Sequence, residues 1–138
     1  MYQKILVPLD GSALAECTLP HVINLAKEGS IGEAVIITVS FPQNAPLEYW
    51  TPRRDEFIKY LSNIQARLDA EGVKARTEYL EGGRPAEIIS DYAHKNAIDM
   101  IIIATHGYTG LRKMVLGSVA LEVLHDARVP VLIVKPCT

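Results

Sequence analysis

Cysteine is scarce in this 138-residue chain, which holds only Cys17 and Cys137. They lie far apart in sequence, so neither a disulfide framework nor a metal-ligand spacing is expected. The four histidines, His21, His94, His106 and His125, form no HExxH or similar group. A metal site built from protein side chains alone is therefore not expected. Charge of one sign is also missing: 14 basic residues face 16 acidic ones, for a formal net charge of −2. A protein that coats nucleic acid normally carries a basic face, so no nucleic-acid partner is expected. No apolar run reaches the length needed to span a bilayer. The opening residues, MYQKILVPLD, lack the long apolar stretch of a secretory signal. The expectation is a cytoplasmic protein with no membrane partner.

Nearly half the residues are apolar, and the length suits a single domain over residues 1–138. Residues 4–9 read as a strand, with Pro8 at its end, where a lost ladder donor costs little. The turn 10-DGS-12 follows, with Ser12 placed to cap a helix over 13–28. Pro20 is expected to kink or divide that helix, and Gly29 and Gly32 to end it. A second strand covers 34–40. Residues 41–52 contain three prolines, Pro42, Pro46 and Pro52, and are expected to be irregular. From Arg53 on, Phe57, Leu61, Ile64 and Leu68 recur at helical spacing, and Gly72 terminates that helix. Residues 73–80 alternate apolar and polar, as in a strand with one wet face near a sheet edge. A loop over 81–85 precedes a helix whose buried face is Ile88, Ile89, Tyr92 and Ala93. Residues 99–104 form a hydrophobic strand buried on both faces. A helix over 117–127 and a strand over 129–136 complete the chain. Strands alternating with helices predict an α/β fold: an open, five-stranded, Rossmann-like parallel sheet with helices on both faces.

In such sheets a ligand sits beyond the carboxyl ends of the strands, where strand order reverses. Here the informative stretch is 104-ATHGYTGLRKMVLGSVA-120. Gly107 and Gly110 permit close approach of main chain to a ligand. Gly117 and Ser118 open a helix, whose first N–H groups lack internal partners and favour an anion such as phosphate. Arg112 and Lys113 add positive charge or simply face water. Neither GxxxxGK[ST] nor GxGxxG is present. By spacing alone, a phosphate cradle and a purely structural turn fit equally well. If strands one and four are neighbours, Asp10 shares the crevice with this loop. Asp10 also suits a plain turn-forming role. His106 reads as a hydrogen-bonded loop residue rather than a general base, and Ser12 as a cap rather than a nucleophile. Tyr49 and Trp50 fit a lid or a packing role alike. Gly82 and Gly83 fit the rim of the crevice or a simple turn before Pro85.

Across nearly its whole length, from 4-KILVPLDGS-12 to 129-VPVLIVKP-136, the chain resembles the small, single-domain universal stress proteins. ATP-binding members carry a glycine, two residues, a second glycine, nine residues, then Gly-Ser or Gly-Thr. Gly107 and 117-GS-118 match; Ala104 stands where the first glycine would be. A methyl there is tolerated at negative φ and strained at positive φ. The resemblance implies strand order 3-2-1-4-5. It implies that Pro8 and Leu9 flank the adenine, that Val39 offers its backbone to the adenine edge, and that Asp10 faces the ribose and phosphates. It implies phosphate contacts from the main chain at Gly107 and Gly117 and from Ser118 and Val119. ATP is the implied ligand, with Mg²⁺ or Mn²⁺ accompanying the phosphates near Asp10. A homodimer through 130-PVLIV-134 is the implied assembly. Three classes of function follow, in order: a stress-response module regulated by ATP binding, a nucleotide-free dimerisation and interaction module, and a slow ATPase or self-phosphorylating protein using Ser118 or Thr109. No catalytic residue is assigned.

Overall fold

β-branched and aliphatic runs become five parallel strands, and the stretches between them become helices. The computed structural model describes residues 1–40, 47–105 and 117–136, and only the backbone of residues 47–52. Strands β1 (Tyr2–Pro8), β2 (Ile31–Ser40), β3 (Ala75–Glu81), β4 (Met100–Ala104) and β5 (Val131–Val134) alternate with four helices. These are α1 (Leu19–Lys27), α2 (Leu47–Ala70), α3 (Pro85–Lys95) and α4 (Ser118–Asp126). The sheet order is β3-β2-β1-β4-β5, the order expected from the family resemblance. β1 is thus the central strand, paired in parallel with β2 on one side and β4 on the other.

Because side chains alternate across a strand, the sheet feeds two cores. Ile5, Val7, Ala34, Ile36 and Ile102 face α1 and α2, where Leu19, Val22, Leu61, Ile64 and Leu68 meet them. Leu6, Val35, Ile37, Ile101 and Ile103 face α3 and α4, against Ile89, Tyr92, Ala120 and Val123. All five residues of β4 are buried, as its unbroken hydrophobic run predicts. β3, at an edge, alternates half-buried and exposed residues over most of its length. Asp99 pins the start of β4 to β1. Its Oδ2 accepts the amides of Gln3 (2.8 Å) and Lys4 (2.9 Å), and its own amide donates to the Lys4 carbonyl (2.8 Å).

Pro20 does divide the first helical span. A short 3-10 turn, Ala15–Thr18, precedes α1, and Pro20 takes the second position of α1, where no amide donor is needed. Two expectations need correction. Residues 47–52 are helical, not irregular, because α2 begins at Leu47; residues 41–46 lie outside the described residues. Pro52 removes one amide donor near the start of a 24-residue helix. Gly32 lies inside β2 rather than ending the preceding helix. Its carbonyl-facing side is crowded: a Cβ at Gly32 would stand 2.6 Å from the Gln3 carbonyl oxygen.

α3 ends in a strained residue. After the cap at Asn96, Ala97 takes φ 54°, while the Ile98 amide returns to the Ala93 carbonyl at 3.1 Å. That left-handed position is where glycine is usual. Ala97→Gly should therefore raise stability by about 1 kcal/mol. The gain is read as a higher denaturant midpoint with unchanged slope; a lower midpoint would refute the strain.

Candidate functional site

A cleft of about 240 Å³ opens at the carboxyl ends of β1 and β4, at the point where the sheet order reverses. Each wall follows from local sequence. β1 ends at Pro8, and the chain continues through Leu9 and Asp10, all three of which line the cleft. The Leu9 amide donates to the Ile37 carbonyl at 2.8 Å, which ties this segment to β2. From β2 comes Val39. The end of β4 supplies Ile103 and Ala104, with Thr105 just beyond it. The opposite wall is the start of α4, from Gly117 and Ser118 to Val119 and Ala120. Pro85 and Ile89 of α3 and Ala15 complete the lining.

Two backbone hydrogen bonds hold the corner between β4 and α4. The Gly117 amide donates to the Thr105 carbonyl at 2.6 Å, and the Thr105 amide donates to the Val134 carbonyl at 2.9 Å. Gly117 is the N-cap of α4, with φ −67° and ψ 161° and no side-chain cap bond. Its amide is therefore committed to the corner, and its contribution to the cleft is space. The amides of Ser118, Val119 and Ala120 occupy the first turn of α4, where no intrahelical acceptor precedes them. With the helix dipole they make a setting for an anion.

Asp10 is the carboxylate of the cleft, and it is held. The Ser12 amide donates to Asp10 Oδ1 at 2.9 Å, and the Ser12 hydroxyl donates to the same oxygen at 2.5 Å. Gly11 between them has φ +86°, a value that favours glycine. Ser12 Oγ also accepts the Ala15 amide at 3.2 Å. The turn and cap roles read from 10-DGS-12 are thus both present, alongside the placement of Asp10 in the cleft. Behind Asp10, Tyr60 donates to Glu16 Oε2 at 2.9 Å. Burial pushes the Tyr60 phenol well above its ordinary range, helped by the Glu16 hydrogen bond and by the negative charges of Glu16 and Asp10. Tyr60 accordingly stays a donor.

Ala104 is unstrained. Ala97 is the non-glycine residue with positive φ among the described residues, and Ala104 is extended strand paired with Val134. The methyl in place of a glycine hydrogen is accommodated by the backbone and adds one carbon to the cleft wall.

Of the residues singled out from the sequence, Pro8, Leu9, Asp10, Val39, Ala104, Gly117, Ser118 and Val119 line this one cleft. Gly107 and Gly110, with His106, Thr109, Arg112 and Lys113, lie outside the described residues. So do the side chains of Tyr49 and Trp50. Gly82 and Gly83 do not line the cleft; Gly82 has φ +134°, which fits the turn before Pro85. Sequence reasoning missed Ala15, Pro85, Ile89, Ile103, Thr105 and Ala120. The available signal was Pro85: as the first residue of a helix that follows a strand, it stands at the same end of the sheet as Asp10. Ile89, one turn later, shares its face.

A divalent cation would need more than Asp10. Among the described residues no group of three metal-ligating side chains exists. A cation here would take its other ligands from ligand phosphates and water, which suits Mg²⁺. A larger cavity, of about 530 Å³, lies at the other end of the sheet, before β4 and β5. Glu87, Asp91 and Asp126 line it together with His94 and Arg128. It lies away from the strand ends where ligands of such sheets sit.

Comparison with known proteins gives a consistent result. The Universal stress protein family pattern matches residues 1–135. The universal stress protein MJ0531 of Methanocaldococcus jannaschii is 37% identical over 142 residues, spanning 98% of this chain and 83% of that protein. The solved structure of MJ0577, from the same archaeon, aligns with a TM-score of 0.89 at 31% identity, over 100% of this chain and 99% of the other. The universal stress protein from Archaeoglobus fulgidus, solved in complex with dAMP, aligns with a TM-score of 0.71 at 23% identity, over 98% of both chains. At that identity the likeness is one of fold.

Proposed function

This chain belongs to the universal stress protein family, and from that premise we propose that it binds an adenine nucleotide, ATP first among them, in the cleft between β1 and β4. One observation carries the reading. Segments distant in sequence bring a carboxylate, an apolar wall and the start of a nine-residue helix to a single cleft at the reversal point of the sheet. Those are the three parts a nucleotide asks for: an acceptor for sugar hydroxyls, a slot for a flat base, and main-chain donors with a positive dipole end for phosphate. Adenine is the proposed base because a protein of the same fold, from Archaeoglobus fulgidus, is described with dAMP. In this reading Pro8, Leu9 and Val39 border the base, and Asp10 faces the sugar. Ser118 and Val119 take the phosphates, as do Gly107 and Gly110 from the loop before α4. Mg²⁺ or Mn²⁺ accompanies the phosphates near Asp10.

The proposed role is regulatory: bound nucleotide biases conformation or partner choice in a cytoplasmic stress response. Hydrolysis would need a positioned water and a further group to stabilise charge. The proposed assembly is a homodimer through β5. β5 is a four-residue edge strand on which Leu132 is 40% exposed, and Leu121 and Leu124 of α4 are also exposed. Pairing with a second copy would satisfy that edge.

Mass spectrometry of the small molecules released from purified protein, followed by calorimetric titration of Mg-ATP into the emptied protein, tests the reading. Released ATP and a dissociation constant on the order of micromolar are expected. No released nucleotide and no heat would overturn it in favour of a nucleotide-free interaction module.

A further inference from the structure

We propose that Ser12 is a positioning residue that holds the Asp10 carboxylate in the orientation that selects a ribose diol. The inference rests on the nucleotide reading of the cleft and adds to it a residue that does not line the cleft.

The geometry is specific. Two donors from Ser12, its amide at 2.9 Å and its hydroxyl at 2.5 Å, reach one oxygen of Asp10. Two donors from one residue fix that oxygen's position and, with it, the plane of the carboxylate. The holder is itself held. Ser12 Oγ accepts the Ala15 amide at 3.2 Å, and Ala15 is 6% exposed and part of the cleft wall. The Ala15 amide, the Ser12 hydroxyl and the Asp10 carboxylate thus form a directed chain of donors. Polarised in one sense, such a chain strengthens each bond in it. Gly11, at φ +86°, makes the reversal that brings Ser12 back onto Asp10. A Cβ at Gly11 would also stand 3.3 Å from Phe57 Cε1, so the turn is packed from behind.

The chemistry of the ligand follows from charge. An ionised carboxylate only accepts hydrogen bonds and repels phosphate. Across the cleft, the start of α4 favours phosphate. Asp10 therefore meets the part of a nucleotide that offers donors without charge. The vicinal hydroxyls of the sugar offer two, and accepting both requires a fixed carboxylate plane. A carboxylate held less firmly would lose part of that preference without losing its charge.

The test compares ATP with its dideoxy analogue, which lacks both ribose hydroxyls, on the full chain by calorimetry. The wild type should prefer ATP, and Asp10→Asn should lose most of that preference. Ser12→Ala, which loses the hydroxyl bond and keeps the amide bond, should reduce the preference severalfold while binding of the dideoxy analogue changes little. Ser12→Thr, which keeps the hydroxyl, should restore it. Ser12→Cys, of the same shape with a weak donor, carries the same test should the alanine variant fail to fold. An unchanged preference in Ser12→Ala, or equal weakening of both ligands, would overturn the positioning role and leave the nucleotide reading intact. A wild type that binds both ligands equally would do the same. A wild type that binds neither would overturn the nucleotide reading and this proposal with it.

Discussion

Gly117→Val should reduce ATP affinity at least about a hundredfold, a loss near 3 kcal/mol, and leave the fold standing. The backbone argument separates the two effects. Gly117 has φ −67° and ψ 161°, a conformation open to any residue. Valine there meets no forbidden dihedral. Its amide can still donate to Thr105, and its carbonyl can still accept Leu121, as in the native corner. The side chain, however, would enter the cleft that Gly117 lines beside Ser118, where the proposed phosphates need room. Exchanging glycine for valine at a helix N-cap should cost stability only about 1 kcal/mol. Calorimetric titration paired with a thermal melt checks both halves. Unchanged affinity would remove the helix start as the phosphate cradle.

A second substitution should act on the fold alone. At Gly32 a new Cβ would stand 2.6 Å from the Gln3 carbonyl oxygen and 3.5 Å from its Cα, backbone atoms that cannot swing aside. Gly32 lies between the register pairs Tyr2–Ile31 and Lys4–Glu33, so relief would push the two strands apart where their pairing begins. Gly32→Ala should destabilise the chain by about 2–3 kcal/mol. Gly83→Ala is the internal control, since a Cβ there meets nothing within 4 Å; it should stay within about 0.5 kcal/mol of wild type. Urea denaturation of the two variants gives the comparison. Equal midpoints would mean the strands accommodate the methyl.

Much of this architecture was legible because its signals are local. β4 is an unbroken hydrophobic run and is fully buried. The stripe from Phe57 to Leu68 has helical spacing, and its members Leu61, Ile64 and Leu68 are buried in one core. Asp10 and Ser118 were placed near each other only through an assumed neighbourhood of strands one and four, which pair in the structure. The features that stayed hidden depend on contacts or on cooperativity. Proline counting marks 41–52 as irregular, yet residues 47–52 begin a long helix that includes Pro52. Gly32 reads as a helix stop until the Gln3 carbonyl is seen beside it. Pro85 and Ile89 reach the cleft because α3 begins at the same end of the sheet as the β1 turn; the strand-to-helix order implies that end, but not that the two residues line the same cleft. Ser12 was legible as a cap, but its grip on Asp10 comes from the curvature Gly11 permits.

The sheet order has a consequence for the growing chain. The strand at the centre of the sheet, β1, is made before the other four, and β2 follows it directly in strand order. Its other flank, and the backbone amides of Gln3 and Lys4 that Asp99 satisfies, wait until residue 99 has been translated. Between the making of β2 and the making of β4, the nascent chain therefore has its most interior strand as an open edge. At translation rates of about 5–20 residues per second, that exposure lasts several seconds. Whatever helices have packed before it, the other flank of β1 is closed by β4 and by nothing earlier in the chain.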